Sequence, residues 1–374
     1  MRLLNHLELE NYIERVYDKS LSSFIHGGIG IGKSETVIKI GKKIAEKNSK
    51  VFYDWNRISD KEKRELLKDE VIKNAFVFAD IRLSQADSTD LKGIPTMNGD
   101  FVEWKPNLIF RVLSNPQASG FLFFDECNQA PPSVQASAYQ IVLDRCIGEI
   151  SFPKTVVPIA CGNRIEDRGN VFELSYPLAN RFTHSELRTP TIEEWTNWGL
   201  SNGHKIDSRI LAYLHWKPSS MYRVDTKSKD KAFPTPRTWS KNSVLIDEVS
   251  DNEMIELLSS TTIGEATAIE FVAFLKTQGT LDAKDFLDNP NKVKKVTEID
   301  QKYALISAIT EYYKKNKTAD IFGKCGKVCL VLEPEFGVLL FRFIKATDDV
   351  FWGKEWGKST EFTKFALGNG KYLL

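Results

Sequence analysis

The sequence predicts an α/β fold: a parallel five-stranded sheet between helices over residues 1–190, followed by a mainly α-helical region over 191–374. Three observations carry that reading. A phosphate-loop pattern joins an apolar run to a helical one near residue 30. Short apolar runs then alternate with stretches of helical periodicity as far as Pro190, as in a parallel sheet covered on both faces. Beyond Pro190 the periodicity is almost wholly helical.

The first element is the stretch Gly27-Gly28-Ile29-Gly30-Ile31-Gly32-Lys33-Ser34, which fits Gly-x-x-x-x-Gly-Lys-Ser at every fixed position. Leu21 to Ile25 leads in as a buried strand, and Val37, Ile40, Ile44 and Ala45 recur behind it at helical spacing. Glycines let successive backbone N–H groups turn inward around a polyphosphate, and the helix N-terminus adds its positive dipole end. The expected nucleotide contacts are Gly28, Ile29, Gly30, Ile31 and Gly32 in the loop, with Lys33, Ser34 and Glu35 where the helix opens. Lys33 is expected to reach the terminal phosphates of a nucleoside triphosphate, and Ser34 to ligate Mg²⁺.

Around this loop the other elements fall in order. Residues 1–20 predict a helix packed beside the nucleotide, and the charged segment Asp60 to Lys73 a solvated surface helix. Phe76 to Ile81 is the second strand, and Thr96 to Trp104 a hairpin around Asn98-Gly99-Asp100, within an insert near 94–106. Phe121 to Phe124 is the third strand, entering Asp125-Glu126; Val134, Ala138, Ile141 and Val142 mark a helix. Ile147 to Phe152 suggests a second hairpin, in an insert near 146–155. Val156 to Ala160 and His184 to Leu187 complete the sheet. Past Pro190, Thr191 and Glu194 form a capping box for a helix carrying Trp195 and Trp198. Ile210–Trp216, Met254–Leu258, Ala266–Leu275 and Tyr303–Tyr313 follow as helices, while 223–236 reads as a loop and the last thirty residues carry no clear period.

Phosphoryl transfer to water needs a bound metal, a positioned water and positive charge where negative charge accumulates. Asp125, at the tip of a buried strand, is the second expected metal ligand, and Glu126 beside it the expected base for the attacking water. Asn163 ends the next strand, where a side-chain amide can hydrogen-bond the γ-phosphate or that water. Arg181 and Arg237 are the candidates for charge stabilisation.

Bulk composition excludes several classes. The chain has 374 residues with a formal net charge of +1, so no global field points to nucleic acid. No apolar run approaches the ~20 residues a bilayer span needs. The five cysteines, Cys127, Cys146, Cys161, Cys325 and Cys329, lack Cys-x-x-Cys spacing and read as reduced thiols of a cytoplasmic protein. The five scattered histidines show no zinc-hydrolase pattern.

With the phosphate loop, Asp125-Glu126 and Asn163 in this order, the chain resembles the AAA+ ATPases and, within them, the MoxR family. The likeness extends through Asp125 to Gln135, Arg82-Leu83-Ser84-Gln85, Gly162-Asn163-Arg164, Leu178 to Phe182 and Phe233 to Arg237. The resemblance implies an AAA+ core with a helical lid, Asn163 as sensor 1, Arg181 as a finger on the neighbouring subunit's nucleotide, and Arg237 as sensor 2. It further implies a hexameric ring whose two hairpin inserts face the axial channel, remodelling a protein client with a von Willebrand factor A domain partner. The competing readings are a nucleic-acid motor on the same core and a slow nucleotide-dependent binding switch. Cys127 stands where many relatives carry an aliphatic residue, which places an oxidisable thiol beside Glu126 and leaves redox sensitivity an open question.

Overall fold

The structure, a computed structural model, describes residues 1–164, 172, 174, 176–201, 204, 206–225, 230–347 and 353–369. It divides into two compact units, Met1–Thr189 and Pro190–Leu374.

The first unit is built on seven strands: β1 (Leu3–Leu4), β2 (Ser23–Gly27), β3 (Val51–Asp54), β4 (Ala75–Arg82), then, after the hairpin β5 (Ile94–Asn98) and β6 (Phe101–Lys105), β7 (Gly120–Asp125). The short hairpin β8 (Cys146–Ile147) and β9 (Ile150–Ser151) precedes β10 (Val156–Gly162) and β11 (Thr183–Leu187). The seven are parallel throughout, in the order β1-β11-β2-β10-β7-β4-β3. The five expected strands are the five central ones; the sheet gains one strand at each edge, which corrects the five-stranded expectation. The added pieces are two and four residues long and are half-exposed or exposed, so they lack the apolar run that marks a strand buried on both faces.

Alternation within those central strands splits their side chains between two faces. Phe24, Val77, Leu122, Phe124 and Ala160 belong to one apolar cluster, roofed by α6 (Leu108–Leu113) and α7 (Pro132–Asp144). Phe76, Phe78, Phe121 and Phe123 point to the opposite face, where α1 (His6–Asp18) brings Tyr17 edge-on to Phe121. Packing of α2 (Lys33–Lys47) on this face leaves no room at Gly41, where a Cβ would stand 2.9 Å from the Phe52 ring. The charged segment after β3 forms two short helices, α3 (Asp60–Glu65) and α4 (Asp69–Ile72), rather than one. The break between them buries Leu66 completely. Two single-turn pieces, α5 (Ser88–Lys92) and α8 (Tyr176–Ala179), complete the unit.

The second unit is helical: α9 (Ile192–Leu200), α10 (Ser208–Trp216), α11 (Pro236–Leu245), α12 (Asn252–Ile263), α13 (Glu265–Gly279), α14 (Ala283–Asp288), α15 (Ile299–Lys315), α16 (Ala319–Val331), α17 (Pro334–Thr347) and α18 (Thr360–Asn369). Its core centres on Tyr213, Trp239, Phe271 and Ile309, all fully buried. The segment that carried no clear period supplies α18, whose Phe362 and Phe365 enter that core beside α16. Residues 348–352 and 370–374 of that segment, and 226–229 of the expected loop, lie outside the described residues. Cys325 and Cys329 are buried on α16 as unpaired thiols.

Candidate functional site at the carboxyl ends of the central strands

Parallel strands present their carboxyl ends on one side of the sheet, and where the connections part in opposite directions a crevice opens. Here β2 is the divide, flanked by β11 and β10. The chain leaving β2 runs through Gly28 to Gly32 into α2, with Gly30 at φ 70° and Gly32 at φ 94°. Those left-handed positions favour glycine and aim backbone N–H groups inward. A Cβ on Gly27 would lie 2.9 Å from the Leu187 carbonyl oxygen, so the strand end is also closely packed.

Lys33 is buried, and its ammonium donates to the carbonyl oxygens of Gly27 and Gly28, each at 2.8 Å, and to Asn163 Oδ1 at 3.0 Å. Ser34 Oγ donates to Asp125 Oδ2 at 2.8 Å. These bonds join loop residues to groups 91 and 130 residues further along the chain, at the ends of β7 and β10. Glu35 is exposed in the first turn of α2. His6, at the start of α1, touches the loop from the other side through Nε2 and the Ile31 carbonyl, 2.9 Å apart.

Glu126 follows the last residue of β7 with φ 52° and ψ 33°. A side chain in the left-handed region is sparsely populated and persists only where its surroundings enforce it. The turn carries the Glu126 carboxylate sideways to the adjacent strand's exit, where Ser84 Oγ donates to its Oε2 at 2.6 Å. The register explains the meeting: Arg82 on β4 is the partner of Asp125 on β7, so residues just past both strands emerge side by side. The Glu126 N–H donates to Asp125 Oδ1 at 2.9 Å. Asn128 fixes the third member, donating from Nδ2 to the Asn163 backbone carbonyl.

Two further groups escaped the sequence reading. Asp80, a polar interruption in the apolar run of β4, sits beside the acids; burial, then the charge of Asp125, pushes its pKa up to about 6. His26, one residue before the loop, stacks on His184 with Nε2 3.1 Å from His184 Nδ1. His184 Nε2 meets the Ala179 carbonyl, which can only accept, so in the neutral form of His184 its Nδ1 accepts and His26 donates. Burial, then His184, lowers the His26 pKa to about 4.

Not every expected residue joins this group. Arg181 donates to the Pro177 carbonyl and lies 4.7 Å over the Tyr139 ring; its described contacts include no residue of the phosphate loop. Arg237 is exposed in the first turn of α11, in the second unit. Cys127 is wholly buried, and burial pushes its thiol up to about 12. A thiolate is the form that oxidises readily, so burial disfavours oxidation at Cys127.

No protein-family model and no curated protein matches the chain. Among solved structures, a DNA polymerase III gamma subunit-related protein from Thermotoga maritima is 10% identical, over 97% of this chain and 91% of its own, with a TM-score of 0.31. A RuvB mutant from the same organism is 13% identical over 77% and 75%, with a TM-score of 0.33. The Aeropyrum pernix ORC2 protein, in complexes with ADPNP and ADP, is 10% identical over 92% and 93%, with a TM-score of 0.32. Likeness at this level leaves reaction and partner to be read from the site.

Proposed function

We propose that this chain is a Mg²⁺-dependent ATPase of the AAA+ type. The observation that carries the proposal is the bonding of Lys33 to Asn163 and of Ser34 to Asp125, which joins three strand ends at one glycine-built loop, with Glu126 next to Asp125. The residues suit the group they would hold. Inward amides and Lys33 complement the phosphates, while Ser34 and Asp125 already form an oxygen pair of the kind Mg²⁺ prefers. When bound, the metal would neutralise charge on the terminal phosphates. Glu126 keeps Oε1 outside its bond to Ser84 and would take the proton of the attacking water; Asn163 would orient that water.

Following the MoxR resemblance, the chain would act as a hexameric ring. Arg181 would then leave its Tyr139 shelf for a neighbour's nucleotide, and Arg237 would report nucleotide state to the helical unit. A protein client, reached with a von Willebrand factor A domain partner, suits the hairpin β5–β6 better than nucleic acid does. Cross-strand register puts Pro95, Met97, Val102 and Trp104 on one face, and Met97 is 73% exposed. That surface is apolar rather than basic, as phosphate recognition would require.

Phosphate release from ATP by the purified chain tests the reading. Glu126→Gln is expected to bind ATP normally while losing on the order of 10²–10⁴ in turnover. Turnover unchanged by Glu126→Gln, or ATP binding absent in the wild type, would overturn it.

A further inference from the structure

The helical unit holds a cavity of about 530 Å³, within the size range of small-ligand sites, lined from α9, α10, α15 and α17. His215 forms its inner wall. The imidazole is 6% exposed; its Nε2 is 3.0 Å from Thr196 Oγ1, while Nδ1 faces Glu193 Oε1 at 3.7 Å, beyond hydrogen-bond distance. Burial lowers the His215 pKa to about 4, so the ring is neutral at physiological pH and one nitrogen carries a lone pair.

The charges around the cavity do not balance. Arg342 donates to Glu193 Oε2 at 2.9 Å and to Asn197, so its guanidinium is committed. Lys302 answers Glu333 at 2.6 Å. Glu335, exposed at the rim, has no ion pair among the described residues. Tyr303 lies between the two sets: its ring stacks on His215, and burial, then Glu335 and Glu193, raise its phenol pKa. A mouth with one uncompensated carboxylate, an aromatic wall and a neutral imidazole repels anions and leaves a cation without a competitor.

We infer that this cavity is a binding site for an organic monocation of the guanidinium or alkylammonium kind. Its charge would pair with Glu335, its N–H donors would meet His215 Nδ1, and its face would lie against Tyr303. Nε2–H would then donate to Thr196, the tautomer that leaves Nδ1 as acceptor. The site is separate from the phosphate loop and stands whether or not the chain hydrolyses ATP.

The test is calorimetric titration of the full chain with Nα-acetylargininamide, a monocation, and with Nα-acetylcitrullinamide, its uncharged near-isostere (hereafter argininamide and citrullinamide). Argininamide is expected to bind on the order of tenfold more tightly, and Glu335→Gln to abolish that preference. Because Glu335 is exposed, the variant is expected to fold. Argininamide should also displace the His215 ring resonances in a histidine-selective ¹H–¹⁵N spectrum. Equal binding of the two amides, an unchanged preference in Glu335→Gln, or an unmoved His215 signal would each overturn the inference. Comparing propylguanidine with an end-capped, arginine-centred alanine pentapeptide distinguishes the sources. Tighter peptide binding assigns the cation to a protein segment, and tighter propylguanidine binding to a free guanidine.

Discussion

Replacing Lys33 by alanine separates nucleotide binding from fold stability. The ammonium is buried and donates to three acceptors, two of them backbone carbonyls. A charged hydrogen bond of this kind to phosphate is worth about 1.5–3 kcal/mol, so its loss weakens ATP by roughly 10- to 150-fold. At ATP one hundred times the wild-type dissociation constant, binding stabilises the folded state by about 2.7 kcal/mol. For a unit ending at Thr189 this is about 5–11 °C in midpoint. With affinity down about a hundredfold, the same ATP adds only about 0.4 kcal/mol to the variant, or roughly 1–2 °C. The assay is differential scanning fluorimetry of both proteins with and without Mg·ATP. The unliganded midpoints should differ little, because removing a buried cation offsets the lost hydrogen bonds. A variant that keeps the full ATP-dependent rise would refute the placement of the phosphates against Lys33.

Ser84→Ala removes the only hydroxyl described on the Glu126 carboxylate; ATP affinity should hold while the basal rate rises by up to about tenfold, read by steady-state phosphate release. A large fall would mean that Ser84 positions Glu126 rather than restrains it. Arg181→Ala should bind ATP normally yet lose about 10³ in turnover, and mixing it with Glu126→Gln protein should change activity non-additively. Wild-type turnover in Arg181→Ala would remove the finger role. Asp80→Asn probes the acid cluster by pH. With a native pKa raised to about 6 against an unfolded value near 3.8, the carboxylate opposes folding above pH 6, and that penalty fades as pH falls towards 4. The variant should therefore gain about 1–2 kcal/mol at pH 7.5, after discounting for partial exposure, and little at pH 4 by urea titration. A gain independent of pH would refute the assignment.

Much of this molecule is legible in its sequence because burial on both faces leaves a continuous apolar signature. β4, β7 and β10 announce themselves as such runs and β2 through Phe24 and Ile25, whereas β11 is half polar, and β1 and β3, at the edges, have too few buried positions to do so. The phosphate loop is legible for a different reason: its chemistry needs glycine, lysine and serine at fixed local spacing, and Gly30 and Gly32 do occupy left-handed backbone. Ser84 was visible only as part of a family-like stretch, since its use depends on the register that sets Arg82 against Asp125 and so brings Ser84 to Glu126 across 42 residues of chain. Asp80 left a fainter trace, an acid within an apolar strand, whose meaning needs the neighbouring β7 to be present. The cavity in the helical unit left none, because Glu193, His215, Tyr303 and Glu335 come from four helices and share no motif.

The bonds of Lys33 at the phosphate loop tie nucleotide binding to Asn163. An ammonium has three protons, and Lys33 gives them to Gly27, Gly28 and Asn163. A phosphate oxygen must take one of these places. The two carbonyls belong to the strand end and loop and cannot withdraw without moving backbone; the Asn163 amide can turn about its own side-chain bonds. It is also the longest of the three contacts, and its backbone is independently held by Asn128. On the proposed function, Asn163 would therefore be the partner released, and its amide would come free where an attacking water needs orienting. Binding and catalysis would then share one residue: the group that holds Lys33 before the nucleotide arrives would serve the reaction once Lys33 has turned to the phosphate.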